Sequence, residues 1–166
     1  MRRPEPLPIA PGQESVWDYP RPPRLERTTK HIVIVLGGET IAETSDAFRV
    51  LETSHPPVYY LPPSAFVAGV LTPGRKHGSY CEWKGWASYF SVTGGGRTEH
   101  NAAWAYAEPK DPYADMADHV AVYASPMDRC AVDGEVVEPQ PGRFYGGWIT
   151  GDIVGPFKGV PGSMLW

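Results

Sequence analysis

The chain has no CxxC pair, no long apolar run and no concentrated basic face, and each absence removes a class of protein. Its two cysteines, Cys81 and Cys130, stand far apart, so a four-thiolate zinc site within one chain is excluded. No segment approaches membrane-spanning length, and the N-terminus lacks the apolar stretch of a secretory signal. A formal net charge of −4 gives no electrostatic support for nucleic-acid binding. The basic residues at the start (Arg2, Arg3, Arg21, Arg24, Arg27 and Lys30) are diluted by Pro and Glu, as in a solvated arm. Neither nucleic acid nor membrane is an expected partner, and cytoplasmic residence with free thiols is the expectation.

Long helices are excluded too. Nineteen Pro and eighteen Gly in 166 residues remove backbone donors and raise the entropic cost of helix. What is present is aromatic: six Trp, nine Tyr and five Phe, enough to build a core where Leu and Ile are scarce. The composition points to a mostly β domain of short strands and turns.

Residues 1–27 read as an extended arm, with seven prolines and the rings Trp17 and Tyr19 to dock part of it. The body spans 28–137. His31–Leu36 is a β-branched run expected as a buried strand, turned at Gly37-Gly38 into Glu39–Glu43. Phe48–Glu52 is a further strand. Prolines on both sides confine Val58–Leu61 to a short one, with Val58 and Tyr60 on one face and Tyr59 and Leu61 on the other. Ser64–Gly69 suits a single helical turn. Gly85–Val92 and Thr98–Tyr106 flank a Gly94-Gly95-Gly96 turn, and Asp111-Pro112 is expected to cap and start a short helix. Val120–Ala124 is another strand, and Asp133-Gly134 predicts a type I′ hairpin. Residues 138–166 hold too many rings for a disordered tail. They are expected to form an ordered arm that wraps the domain or exchanges with a second subunit, so a homo-oligomer built through the arms is an expectation.

Four motifs in order carry a family resemblance: Arg49-Val-Leu-Glu-Thr53, His55-Pro-Pro-Val-Tyr-Tyr60, Cys81-Glu-Trp-Lys-Gly85 with Ala87-Ser-Tyr89, and Ala102-Ala-Trp-Ala-Tyr106. Over residues 31–135 the sequence resembles the family catalogued as domain of unknown function 427, in a longer variant with arms at both ends. The resemblance implies a β-tent: two antiparallel sheets, pinned at one edge and splayed at the other, with one or two short helices. Relatives of that architecture hold zinc through two CxxC knuckles. This chain lacks them, so its apex must be held by packing. The family has carried a nucleotidyltransferase-like label, but no glycine-serine signature with paired carboxylates and no phosphate loop is present.

Candidate chemistry concentrates in a few residues. Cys81 and Lys84 point apart in an extended chain but converge in a turn, where the lysine would favour the thiolate. The alternative for Cys81 is a small buried hydrophobe. Lys84, between Trp83 and Trp86, is a solvated charge, a base or an anion clamp. Glu52 reads either as an ion-pair partner of Arg49 or as a general acid or base whose pKa is raised by aromatic burial. His55 is a second acid–base candidate. Tyr59, Tyr60, Tyr89, Trp104 and Tyr106, with Arg49, are the expected ligand-binding set, weighed against a purely structural aromatic core. The histidines lack the spacing of a helical metal site, and neither metal nor cofactor is expected. The function expected is binding of a small molecule in an aromatic pocket. The alternative is a cofactor-free acid–base enzyme using the same pocket: a cyclase, isomerase, dehydratase or hydrolase.

Overall fold

The computed structural model describes residues 3–75 and 78–166; Arg2 and His77 lie outside them. The protein is mostly β, and its strands arise where the sequence alternates. In Ile32–Leu36 the residues Ile32, Ile34 and Leu36 are fully buried and Val33 and Val35 only partly, the period-two pattern of a strand with one face on the core. Gly37 and Gly38, both at positive φ, turn this strand into Glu39–Thr44. Arg129–Val132 pairs along its other edge. Asp133 and Gly134, at φ 49 and 82, then make the expected type I′ turn into Glu135–Val136. These four strands form the first sheet.

Val120–Val122, Arg97–Ala105, Ser88–Gly94 and Leu71–Pro73 follow one another in a second sheet. Arg24–Thr28, Ala47–Leu51 and Val58–Tyr60 form a third. The first of these strands takes in residues 24–27, which the sequence had suggested for the N-terminal arm. An antiparallel bridge between Leu61 and Val120 joins the second and third sheets edge to edge. Leu61 N–H donates to Val120 O at 2.8 Å and the reverse bond is 2.7 Å. The body is therefore two antiparallel arrays, and Ile32, Ile34 and Cys130 from one meet Val92, Ala103 and Val120 from the other in a common core.

One end of this core is closed by glycine. A Cβ on Gly95 would overlap the Gly37 carbonyl oxygen, and one on Gly37 would overlap Gly94. Two hairpin tips, one from each array, meet backbone to backbone. The two expected short helices are single 3-10 turns, Pro63–Ala65 and Ala114–Met116, and a third, unexpected one, Val16–Asp18, lies in the N-terminal arm. Asp111 does not cap Ala114–Met116: Tyr113 occupies the cap position with no side-chain hydrogen bond. The residue before Pro112 is biased away from helical backbone, and the strand at Val120 leaves no length for more than one turn. Among the described residues no helix is long and apolar enough to cross a membrane.

Both arms pack on their own domain. Trp17 and Tyr19 are buried with Val16, Leu51 and Ile153 in a separate cluster, and Glu14–Ser15 pairs in parallel with Ile153–Val154. The C-terminal arm sends Trp148 into the main core, fully buried and stacked on Tyr59 at 5.3 Å.

Candidate functional site

The face of the larger array turned away from the main core carries a second cluster of rings. Phe48, Val50 and Tyr60 meet Tyr89, Trp104, Tyr106 and Tyr113 there. The rings do not close up completely: a cavity of about 280 Å³ remains, lined on this face by Val50, Tyr60, Tyr89, Trp104 and Tyr106. That volume lies near the lower end for small-molecule sites.

The polar groups arrive from loops. Glu52 and His55 follow the strand Ala47–Leu51, which stops before the Pro56-Pro57 pair. The turn between Tyr80–Cys81 and Gly85–Trp86 brings Cys81 and Lys84 onto the cavity wall together. This tight hairpin resolves the two orientations open from sequence: the thiol and the ammonium are neighbours.

Lys84 remains a cation. Burial opposes its charge, but Tyr60, Cys81 and Glu52 around it hold its pKa above the ordinary lysine value. Its ammonium lies 5.8 Å from the centre of the Tyr106 ring. The structure therefore favours the anion clamp over the base.

Glu52 departs from expectation. It does not pair with Arg49; it lies 3.3 Å from His55 Nε2 and 3.6 Å from Arg21 Nη2. Burial pushes its carboxyl up, but the His55 bond and the charges of Lys84 and Arg21 outweigh this and bring it below the usual value. It is an ionised carboxylate, not a raised general acid. His55 is held on its other side too. Gln140 Nε2 donates to His55 Nδ1 at 3.0 Å and to Lys158 O at 2.9 Å, while Gln140 Oε1 accepts from Gly147 N–H at 3.0 Å. The amide's orientation is thus fixed, so His55 Nδ1 is an acceptor and its proton sits on Nε2, facing Glu52. Neither ring nitrogen is left for a ligand.

Arg49 and Tyr59 are not in the cavity. They are register partners in adjacent strands and share the face opposite Val50 and Tyr60. Tyr59 belongs to the main core, and Arg49 is engaged by Glu14 and Glu26. The alternation of a strand separates them from the site.

Among the tyrosines lining the cavity, most hydroxyls are engaged. Tyr60 accepts from Trp104 Nε1 at 3.2 Å, Tyr89 bonds Ser79 at 2.8 Å, and Tyr123 donates to Phe144 O at 2.9 Å. Tyr106 is 6% exposed, and its hydroxyl has no hydrogen-bond partner among the described residues; burial pushes its pKa far up. Lys84 likewise has no carboxylate within ion-pair distance among them. The sequence reading missed the far wall: Gln140, Tyr145, Gly146 and Lys158, all from the C-terminal arm. Tyr145 packs edge-on against His55 at 4.8 Å. The density of rings and glycines in Phe144-Tyr145-Gly146-Gly147-Trp148 was the available signal. Among the described residues, no three His, Cys, Asp or Glu side chains group to hold a metal.

Residues 24–133 match the family described as Domain of unknown function (DUF427). The chain belongs to this family. No curated protein matches it. The DUF427 segment contains Glu52, His55, Cys81, Lys84 and Tyr106, whereas Gln140, Tyr145, Gly146 and Lys158 lie beyond it. The cavity of this DUF427 protein is thus completed by residues outside the stretch that defines the family.

Proposed function

We propose that the cavity binds a small planar molecule carrying an anionic or strongly polarised oxygen. The observation behind this reading is a cation without a carboxylate partner, Lys84, beside a hydroxyl without a hydrogen-bond partner among the described residues, Tyr106, within a wall of rings. A ligand oxygen placed between the two would accept a charge-assisted bond from one and a neutral bond from the other. The rings supply flat apolar surface, and Glu52 is engaged through Oε2 by His55 and Arg21 rather than by Lys84. The acid–base alternative is the weaker reading, because the Glu52 carboxyl is held below the pKa of an efficient acid or base and the His55 nitrogens are occupied.

The test is a titration with 2-naphthoate and its neutral amide, followed by tryptophan fluorescence. Naphthoate should bind the more tightly of the two, and Lys84→Met should weaken it by about tenfold to a hundredfold, the worth of one charge-assisted hydrogen bond. Tyr106→Phe should cost about fivefold. Equal affinity for acid and amide, or naphthoate binding unmoved by Lys84→Met, would defeat the proposal.

A further inference from the structure

The chemistry open to the cavity is nucleophilic. Its carboxylate and imidazole are tied to each other, its Lys84 ammonium is held charged, and the same wall carries the thiol of Cys81. The other cysteine sits in the main core with its thiol pushed up to about 12 by burial. Cys81 differs in each respect that governs reactivity: it is only partly buried, it faces a cavity, and it has a lysine ammonium as neighbour in the same hairpin. Tyr106 is the second observation: the residue is 6% exposed, it lines the same wall as the thiol, and its hydroxyl has no hydrogen-bond partner among the described residues.

We propose that Cys81 forms a covalent adduct with ligands that carry an electron-poor double bond conjugated to the oxygen seated at Lys84 and Tyr106. This inference rests on the binding reading above, since the oxygen site activates the acceptor. The step is a conjugate addition. The Cys81 thiol gives its proton to solvent and the sulfur forms a bond to the β-carbon. The π pair of the double bond moves through the α-carbon onto the carbonyl oxygen, giving an enolate stabilised by the ammonium and the phenol. A proton delivered to the α-carbon from Lys84, and replaced from solvent, completes a thioether. Every atom of thiol and acceptor is retained, nothing leaves, and no oxidant or reductant is consumed. Lys84 holds the enolate oxygen that forms on attack.

The test uses N-ethylmaleimide on the intact, folded chain, with intact mass and peptide mapping over a pH series. A single adduct is expected, on Cys81, forming faster than on free cysteine at neutral pH; Cys130 should react only after denaturation. Lys84→Met and Lys84→Gln should slow the adduct by about tenfold or more, and Tyr106→Phe by a smaller factor. Should both lysine variants fail to fold, the wild-type rate relative to free cysteine at neutral pH and the effect of Tyr106→Phe decide. No adduct, an adduct no faster than free cysteine, or a rate indifferent to Lys84 overturns the proposal. Cys81→Ala should lose the adduct, which assigns the labelled sulfur. A wild type that binds naphthoate yet stays unlabelled leaves the binding reading standing and removes this one.

Discussion

Arg49 grips both carboxylate oxygens of Glu14, Nη1 to Oε2 at 2.9 Å and Nη2 to Oε1 at 3.1 Å. The arginine lies within a central strand of the three-stranded sheet and the glutamate lies in the N-terminal arm, so this bidentate contact fastens the arm to the body. Glu26 takes the remaining face of the same guanidinium through Nη2 at 2.6 Å. Arg49→Met should therefore destabilise the fold without touching the cavity. Truncating one partner of a fully buried ion pair costs about 3–5 kcal/mol. Both glutamates are partly exposed here, so about 2 kcal/mol is expected. Urea denaturation checks it; an unchanged midpoint would show the arm held by packing alone.

The same contacts set an acid limit on the arms. The Arg49 bond holds Glu14 below its ordinary value of 4.5. Burial pushes Asp152 up, but Thr150 and Lys30 outweigh it and hold that carboxyl below 3.8. A folded pKa below the unfolded one adds stability that is complete above about pH 5 and is lost as pH falls through the folded value. The arms should loosen on acidification below about pH 4, read as a change in emission from Trp17 and Trp166, whose rings sit 5.8 Å apart. Glu14→Gln should flatten this pH dependence; an identical acid profile in that variant would assign the transition elsewhere.

His55 makes a spectroscopic prediction. With Gln140 donating to Nδ1, nitrogen NMR should show the proton on Nε2, and a proton on Nδ1 would contradict the amide orientation. Gln140→Leu would strand the His55 Nδ1 acceptor, the Gly147 N–H and the Lys158 carbonyl together. A cost of about 2–3 kcal/mol is expected, since each unmade buried bond costs about 1–3 kcal/mol and some regain water.

How much of this was legible in sequence depends on the range of the physics involved. Two faces for Val58–Leu61 followed from alternation between prolines, and Tyr59 and Tyr60 do enter different clusters. The same rule already separated Tyr59 from Tyr60, yet both had been expected in the pocket. Its extension across the register would have removed Arg49 as well. Hairpin turns at Gly37-Gly38 and Asp133-Gly134 were readable because positive φ has a local residue signature. The meeting of Gly37 with Gly94 and Gly95 was not, since a close approach between two turns leaves no local mark. Glu52 was misjudged because its pKa is governed by His55, Lys84 and Arg21, and Arg21 and Lys84 come from distant segments.

Trp148 joins the C-terminal arm to the main core. Its Nε1 donates to Val122 O at 3.0 Å and its backbone N–H to Pro57 O at 2.8 Å, while its ring fills the space over Tyr59. Just before it, Gly146 lies so close to Trp104 that a Cβ would overlap the indole ring. The strap is therefore seated at one end by a large side chain and at the other by the absence of one. Trp148→Ala should cost about 3–5 kcal/mol, the range for emptying a buried aromatic site. Gly146→Ala should cost about 1–3 kcal/mol, but its distinctive effect is on the cavity: pushing the strap off Trp104 opens the wall that Tyr145 and Gln140 form. Naphthoate affinity should fall more in Gly146→Ala than in a Trp148→Phe variant of matched stability. Equal losses would mean that the arm supports the fold without shaping the site.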